Sequence, residues 1–436
     1  MASNTGNEDR IIRTLVRRII SSPNFQASGI YLFTSAINAA IPFLLLPILT
    51  RYLSPTDYGI VAMFQVLVGI VSAFVGLSVH GAIARQYYER ETVDFSNYIT
   101  NCLYILLGSS LLVGLALLVL ANPINTFTAF PKEWLWAVLV TAATNFIILI
   151  VATLWQVRVM PMRYGAYQIA LVVFNAGLSI WFVVGLEAGW QGRLWGQLLA
   201  CVIFAVLGSI ILKRGGFLKW KYQPKYVRHA LGFGAPLLLH DVGTWAIYMT
   251  DRIMIVSMIG LAEAGIYTVA AQVGMVMYLI QDSINRAWVP WFYSQLKKND
   301  SKIKLKIVKI TYLYNVLILF FAFIFGWMAP WLFNFFVGKD FKAASSYVIW
   351  IAVAFAFNGM YKMVTNYCFY AQDTRFLPFI TFSAAAINIG ASYLLIKLNG
   401  AIGAAQAKVI TYFIFFIATW FLASRVYKMP WRLRQL

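Results

Sequence analysis

Seven ionisable side chains fall inside long apolar stretches of this 436-residue chain. In the middle of a membrane-spanning helix such a residue costs at least about 2.5–3.5 kcal/mol, so it usually faces a cavity or a neighbouring helix. A set of this kind can bind a charged ligand or couple to an ion. All seven lie in the second half of the chain, which predicts that this half recognises the ligand. They are Asp241, Asp251, Arg252, Asp282, Arg286, Lys362 and Lys408, with His240 beside the first.

Two of the basic residues, Arg252 and Lys362, are predicted to contact an anionic substrate. Arg252 directly follows Asp251, so the two side chains point about 100° apart on a helix and do not simply neutralise each other. We expect Asp251 to pair with a neighbouring helix; a structural role for both residues is the alternative. Lys362 lies too deep in its apolar stretch to reach water easily, which favours a cavity over a structural ion pair.

Two pairs of opposite charge are spaced four residues apart, as in an ion pair on one helix face. Asp282 and Arg286 form the first pair, for which a structural role is favoured, with substrate contact by Arg286 as the alternative. Arg85 and Glu89 form the second pair at the inner end of a predicted span. Arg85 there either contacts substrate at the cytoplasmic entrance or belongs to a solvated helix end.

The carboxylates of Asp241, Asp251 and Asp282 are candidates for coupling to a proton or a sodium ion. The chain has no GxxxxGK[ST] motif for ATP, so the energy must come from an ion gradient, the membrane potential or consumption of the product. No catalytic residue, metal site or cofactor is predicted. The sequence therefore favours a transporter over an enzyme.

The composition indicates which type of secondary structure holds these residues in place. With 61% hydrophobic and 11% charged residues, the chain lacks the polar surface of a soluble globule and is predicted to be an integral membrane protein. Long unbroken apolar runs favour helices over a barrel, and each span needs roughly 20 apolar residues. We therefore predict an all-α protein with twelve spans. They lie near residues 28–49, 57–82, 99–121, 134–157, 166–187, 192–212, 232–259, 262–287, 310–336, 346–370, 375–397 and 402–424.

An internal duplication organises the spans. Residues 53–60 (LSPTDYGI) are echoed by residues 259–266 (IGLAEAGI), with an acidic residue, a Gly and an Ile at matching places. Such a repeat is typical of transporters built from two homologous lobes, with the substrate path where the lobes meet. The predicted parts are a basic N-terminal segment (1–25), an N-lobe (26–212), a basic linker (213–231), a C-lobe (232–424) and a basic tail (425–436).

The basic residues predict the orientation. If the first residue is cytoplasmic, 25 of the 35 Lys and Arg residues lie in cytoplasmic segments and 6 lie outside, so both termini are expected in the cytoplasm. This distribution explains the net charge of +20 without nucleic acid. Arginines in segment 1–25 recur opposite apolar residues, which predicts a helix on the anionic inner leaflet. A charged tail is the alternative.

Two stretches carry a resemblance to a known family. Residues 44–59 (LLLPILTRYLSPTDYG) resemble the opening of Wzx-type polysaccharide biosynthesis proteins, the O-antigen flippases. Asp251 and Arg252, followed by Gly265, Ile266 and Tyr267, resemble the start of that family's second half. The resemblance covers nearly the whole chain after its first 25 residues. The superfamily also contains multidrug exporters of the MATE type and lipid II flippases.

The resemblance implies two six-helix lobes in a V shape and a carrier that works by alternating access. Its implied substrate is an undecaprenyl-diphosphate-linked oligosaccharide, an O-antigen or other surface polysaccharide unit, which crosses the bacterial inner membrane. A polymerase and a chain-length regulator are the implied protein partners. Lipid II flippases carry arginines in spans one, two and eight, whereas this chain has none in span one before Arg51 and has Gln272 in span eight. This difference argues against lipid II as the substrate.

Two other functions, an organic-cation antiporter and a membrane enzyme, are the alternatives. A multidrug or organic-cation antiporter on the same fold should carry more acidic than basic residues at depth, whereas here four basic residues accompany three acidic ones. A membrane glycosyltransferase or polymerase should carry catalytic carboxylates in a sizeable extramembrane domain, and the predicted outer connections are short.

Overall fold

The computed structural model describes residues 23–373 and 375–432, with the side chains of residues 23–28, 32, 236 and 239–248 outside the description. Every regular element in this part of the chain is helical. Twelve long helices follow one another. They are α1 (Pro23–Tyr52), α2 (Pro55–Phe74), α3 (Phe95–Val119), α4 (Leu135–Val157), α5 (Pro161–Ile180), α6 (Gly189–Arg214), α7 (Pro224–Met258), α8 (Leu261–Leu296), α9 (Ser301–Phe336), α10 (Ser345–Tyr370), α11 (Leu377–Asn399) and α12 (Ile402–Val426).

Short helical elements lie between several of these helices. Short α-helices cover His80–Gln86 and Ala121–Thr128, and a π-helical turn, Trp181–Gly185, continues α5. The remaining short elements are 3₁₀ turns at Tyr87–Glu89, Lys132–Trp134 and Lys339–Ala344.

Eleven of the long helices in the described part are long and apolar enough to cross a membrane. In hydrocarbon a helix satisfies its own backbone hydrogen bonds, so apolar runs of this length fold as spans. The predicted all-α membrane architecture is confirmed. The count of twelve spans stays a prediction, because α7 is not among the eleven.

Two of the eleven candidate spans, α8 and α9, are much longer than the hydrocarbon layer is thick. α8 and α9 have 36 residues each, which corresponds to about 54 Å against a layer of about 30 Å. α9 begins at Ser301, before the predicted ninth span (310–336), and so includes four lysines that precede this span: Lys302, Lys304, Lys306 and Lys309. The side chain of Asp300 caps this beginning, since its Oδ1 accepts the backbone N–H of Lys302 at 2.7 Å.

The predicted second span, 57–82, is interrupted, and the prediction of a continuous helix there is wrong. α2 ends at Phe74, and residues 76–78 have left-handed φ angles of 77°, 49° and 54°. A right-handed helix cannot continue through such residues. The backbone N–H of Gly76 donates instead to Oγ of Ser109 at 2.9 Å, which satisfies a donor that the break leaves free.

The described residues form two compact units. The first consists of residues 23–45, 68–119 and 133–239, and the second of residues 46–67, 120–132 and 240–432 without residue 374. In the first unit α6 packs against both α4 and α5. In the second unit α10 contacts α8, α9 and α12, which makes it the central helix. The predicted lobe boundaries stay predictions.

The segment after α12 packs against other helices of the second unit through Trp431. The Tyr312 hydroxyl of α9 donates to the backbone carbonyl of Trp431 at 2.9 Å. The Trp431 ring also contacts the rings of Tyr312, Tyr367 and Trp420, with centroids 5.5–6.2 Å apart. The chain after α12 therefore packs back onto its own helices.

Within the second unit, the two copies of the repeated motif contact each other through their glycines. A β-carbon added at Gly265 would overlap the carbonyl oxygen of Pro55, and one added at Gly59 would overlap the carbonyl oxygen of Leu261. Pro55 and Leu261 are equivalent positions of the repeat, and so are Gly59 and Gly265. This reciprocal arrangement, here called the glycine contact, brings the beginnings of α2 and α8 together backbone to backbone.

The motif also fixes the start of α2. The Asp57 N–H donates to Oγ of Ser54 at 3.1 Å, while the Ser54 N–H donates to Oδ2 of Asp57 at 3.1 Å. This is a capping box, with Pro55 at the first helical position. The acidic residue of the first copy therefore caps the beginning of α2.

Candidate functional site

One carboxylate in the second unit bridges two cations. Oδ1 of Asp282 on α8 lies 2.7 Å from Nζ of Lys362 on α10, and Oδ2 lies 2.8 Å from Nε of Arg286. The side chains of Asp282 and Lys362 are each 20% exposed, whereas that of Arg286 is 65% exposed. We call these three residues the inner cluster. It carries a formal charge of +1 and presents one cation that an anion can approach directly.

Amide pairs flank the inner cluster along the same two helices. Nε2 of Gln281 donates to Oδ1 of Asn358 at 3.2 Å, and Nδ2 of Asn366 donates to Oδ1 of Asn285 at 2.9 Å. Asn358, Lys362 and Asn366 recur every four residues, so they lie on one face of α10. The two amide pairs and the inner cluster form a polar stripe between α8 and α10 in an otherwise apolar region.

Aromatic rings continue this stripe on α8. The Lys362 ammonium lies 4.7 Å from the centroid of the Tyr278 ring, which provides a cation–π contact. Further along α8, the rings of Trp288 and Trp291 lie 4.8 Å apart. Cations, carboxamides and aromatic rings together are the groups that bind phosphates, hydroxyls and sugar rings.

A second carboxylate is buried near the beginnings of α8 and α12. Asp251 of α7 is fully buried and forms an ion pair with Lys408, whose side chain is 7% exposed. The Tyr267 hydroxyl donates to Oδ2 of Asp251 at 2.8 Å, while Oδ1 accepts no hydrogen bond within the described residues. The Arg252 guanidinium lies 5.8 Å from the Tyr267 ring centroid. We call these four residues the outer cluster.

The structure does not bring Arg252 and Lys362 together. Arg252 lies beside Tyr267, and Lys362 lies beside Asp282. Tyr267 and Asp282 are 15 residues apart on α8, which corresponds to about 22 Å along the helix axis. A single diphosphate is far shorter than this distance. The two predicted anion-binding residues therefore belong to different clusters, each with two basic residues and one carboxylate.

Two further predicted residues lie elsewhere. Arg85 is in the first unit, where Nη2 lies 3.8 Å from Oε1 of Glu89 with both side chains about half exposed. An ion pair in this setting contributes little to stability. The side chain of Asp241, predicted to couple to an ion, lies outside the described residues, as does that of His240.

An exposed ion pair marks the connection between α10 and α11. Arg375 donates from Nε and Nη2 to the two carboxylate oxygens of Asp373, both at 3.0 Å. These hydrogen bonds lower the pKa of Asp373 below its ordinary value. Among the described residues, no three His, Cys, Asp or Glu side chains converge in a group that could hold a metal ion.

Sequence reasoning did not identify Asn285, Asn358 and Asn366 as members of the site. The four-residue spacing of Asn358 and Asn366 around Lys362 was a usable signal, since polar residues repeat on one face of an apolar helix. Asn285 stands next to Arg286 and had no comparable signal. Its position opposite Asn366 depends on how α8 and α10 pack.

Solved structures of similar fold cover most of the chain. A structure of the lipid II flippase MurJ, in an inward closed conformation, has a TM-score of 0.70 at 15% identity, covering 91% of this chain and 87% of that one. An inward-facing multidrug resistance MATE family transporter of the MOP superfamily has a TM-score of 0.65 at 15% identity, covering 89% and 94%. The fold is therefore of the MATE and MurJ type.

Curated relatives are also similar over much of their length. An uncharacterized membrane protein of Haemophilus influenzae is 27% identical over 375 residues, 84% of this chain and 88% of that protein. The succinoglycan biosynthesis transport protein ExoT of Rhizobium meliloti is 22% identical over 245 residues, 53% of this chain and 45% of its own.

Residues 48–346, well over half of the sequence, match the family described as polysaccharide biosynthesis protein. This match includes the glycine contact, Asp282, Arg286 and Asp251. The chain belongs to the polysaccharide biosynthesis protein family and has the fold of membrane transporters and flippases.

Proposed function

We propose that this protein is a flippase for an undecaprenyl-diphosphate-linked oligosaccharide, an O-antigen or other surface polysaccharide unit. It moves the diphosphate and glycan from the cytoplasmic to the outer leaflet of a bacterial inner membrane by alternating access, while the polyprenyl tail stays in lipid. Family membership supports a role in polysaccharide transport, and the excess of positive charge in both clusters supports an anionic headgroup.

The inner cluster is the observation that carries this proposal. Asp282 holds Lys362 and Arg286 in place, yet one carboxylate cannot neutralise two cations. A diphosphate that approaches the exposed Arg286 competes with Asp282 for both cations. In a low-dielectric environment this exchange keeps the anion paired throughout, which lowers the cost of carrying it into the membrane.

The polar stripe suits the glycan that follows the diphosphate. Carboxamides both donate and accept hydrogen bonds, so the pairs Gln281–Asn358 and Asn285–Asn366 can exchange their mutual bond for bonds to sugar hydroxyls. Because the replacement bonds resemble those that are lost, the exchange costs little free energy.

The outer cluster takes a later role in the same proposal. Tyr267, whose ring Arg252 contacts, lies about 22 Å along α8 from Asp282. Arg252 therefore contacts the headgroup at a later stage than Lys362 and Arg286 do. Arg85 contacts the substrate at the cytoplasmic entrance. Asp251, Asp282 and Asp241 are proposed to couple transport to a proton or a sodium ion. Anionic inner-leaflet lipids, a polymerase and a chain-length regulator complete the proposed partners.

An organic-cation exporter is the second candidate, because the fold is shared with a MATE family transporter. A cation would have to approach clusters that already carry more positive than negative charge. Efflux of a fluorescent organic cation from cells that express the protein distinguishes the two functions. Energised efflux that is abolished by Asp282→Asn would support the exporter and contradict the flippase.

Lys362→Ala is expected to lower transport about tenfold or more, because losing a hydrogen bond to a charged group costs about 1.5–3 kcal/mol. The measurement is the rate at which a fluorescent lipid-linked oligosaccharide becomes accessible on the outer face of proteoliposomes. Lys362→Arg keeps the charge and should retain most of the rate. Lys306→Ala, an exposed lysine of α9, is the matched control and should transport normally. Unchanged transport by folded Lys362→Ala protein would contradict the assignment of this site.

Asp282→Asn is expected to strengthen the binding of a diphosphate and to slow transport. Removing the carboxylate leaves Lys362 and Arg286 without their shared counter-charge, so the affinity for a soluble diphosphate analogue should rise about tenfold while turnover falls because release slows. Binding is measured by isothermal titration in detergent, and turnover is measured in proteoliposomes. A fall in affinity would show that Asp282 does not compete with the ligand.

A further inference from the structure

The segment between α6 and α7 is fixed along the beginning of α3 in the first unit. We call residues 217–223 (FLKWKYQ) the linker strap. The backbone N–H of Lys219 donates to Oγ1 of Thr100 at 2.9 Å. Nδ2 of Asn101 donates to the backbone carbonyl of Lys221 at 3.0 Å. These bonds give the strap a defined position, although it has no helical structure.

Two large aromatic side chains of the strap remain exposed. Trp220 is 65% exposed and Tyr222 is 61% exposed. Both rings contact Tyr104 of α3, with centroids 6.1 Å and 6.0 Å apart. The strap therefore places an aromatic trio on the outside of the first unit.

Tyr104 shares its helix face with a row of exposed leucines. This row follows the three- and four-residue spacing of one face of α3. It consists of Leu107, Leu111, Leu115 and Leu118, which are 57%, 71%, 61% and 76% exposed. An apolar face of this kind on a membrane-spanning helix contacts lipid. Trp220 and Tyr222 thus lie at the end of a lipid-facing row, where amphipathic rings occupy the membrane interface.

The charged side chains of the linker that contains the strap are all positive. The stretch 213–228 contains six basic residues and no acidic residue. All six are exposed, and they are Lys213, Arg214, Lys219, Lys221, Lys225 and Arg228. Lys219 also contacts Asp94 at 3.1 Å in an exposed pair. Basic residues next to interfacial aromatic rings are placed to bind the phosphates of anionic lipids.

We propose that the linker strap is a binding site for anionic phospholipid headgroups of the leaflet on its side of the membrane. Trp220 and Tyr222 enter the interface beside α3, and Lys219, Lys221 and Lys225 contact the phosphates. A protein partner would have to cover aromatic rings that adjoin a lipid-facing row, so a lipid is the better occupant. This contact does not depend on which substrate the protein transports.

Lipid quenching of a probe on the strap tests the proposal. The three native cysteines, Cys102, Cys201 and Cys368, are buried, so a fluorophore can be attached selectively to Trp220→Cys. In nanodiscs, brominated phosphatidylglycerol is expected to quench this probe several-fold more effectively than brominated phosphatidylcholine at equal mole fraction. Salt screens electrostatic attraction, so the preference should shrink at 1 M salt.

Charge variants separate headgroup binding from simple proximity to lipid. A lysine near an anionic membrane surface changes binding by about fivefold, so Lys219→Gln, Lys221→Gln and Lys225→Gln together should remove the preference. The matched control replaces Lys339, Lys342 and Lys397 by Gln and should keep it. Equal quenching by both lipids, quenching by neither, or a preference that survives in the first triple variant would each overturn the proposal.

Discussion

Replacing Lys408 by methionine is expected to lower the free energy of unfolding by about 3–5 kcal/mol, because the Asp251 carboxylate then stays buried without its cation. Asp251 is fully buried, and the Tyr267 hydroxyl alone cannot compensate a full negative charge. Chemical unfolding of the purified protein in detergent measures the change. Lys397→Met, at the exposed end of α11, is the control and should have little effect.

The double variant Asp251→Leu with Lys408→Met should recover most of this loss, since replacing a whole buried ion pair by apolar residues is often neutral or stabilising. An equal loss in the single and double variants would contradict a stabilising role that depends on charge pairing. The double variant also tests the proposed ion coupling. If it is stable but its transport no longer responds to an imposed ion gradient, the pair of Asp251 and Lys408 takes part in the coupling.

Gly265→Ala is expected to lower the free energy of unfolding by about 3 kcal/mol, the upper part of the range for overpacked sites. The reason is that the new methyl group would overlap backbone, the carbonyl oxygen of Pro55, which cannot turn away as a side chain can. Gly59→Ala, on the other side of the glycine contact, should have a similar effect. The measurement is again chemical unfolding in detergent.

Gly390→Ala is the matched control for both glycine variants. Gly390 also lies within a helix of the second unit, α11, but a β-carbon there would meet no atom within 4 Å. Alanine restricts the unfolded chain more than glycine does, so this variant should be unchanged or more stable by about 0.5–1 kcal/mol. Equal destabilisation by all three substitutions would mean that helical glycine is required in general and that the glycine contact is not special.

Patterns along one helix made parts of the site predictable. The spacing of Asp282 and Arg286 predicts a pair on one face, and the structure contains it at 2.8 Å. Lys362 joins the same carboxylate from α10, 80 residues away along the chain. No local pattern specifies that approach, because it depends on the packing of α8 against α10.

The ion pair of the outer cluster could likewise not be predicted from local sequence patterns. Adjacent placement of Asp251 and Arg252 predicts that they do not simply neutralise each other, and Asp251 indeed pairs with another helix. Its partner Lys408 belongs to α12, and the sequence contains no signal that links the two positions. Opposite charges in separate spans can pair in many ways, and only the arrangement of helices selects one.

Hydrophobicity predicted where the helices lie better than where they end or break. The criterion of about 20 apolar residues per span locates the apolar part of α8 and α9 but not their polar extensions. It also passes over the break at residues 76–78, because Gly, Leu and Ser are all compatible with an apolar run. The backbone conformation there depends on contacts such as that from Gly76 to Ser109.

The reciprocity of the glycine contact has a consequence for the origin of the molecule. Each side of the contact consists of the same two positions of the repeat, as in the isologous interface of a twofold-symmetric homodimer. A chain half as long would carry both the glycine and the carbonyl that receives it, and two copies could associate through this patch. Gene fusion would then preserve an interface that two separate subunits had already shared.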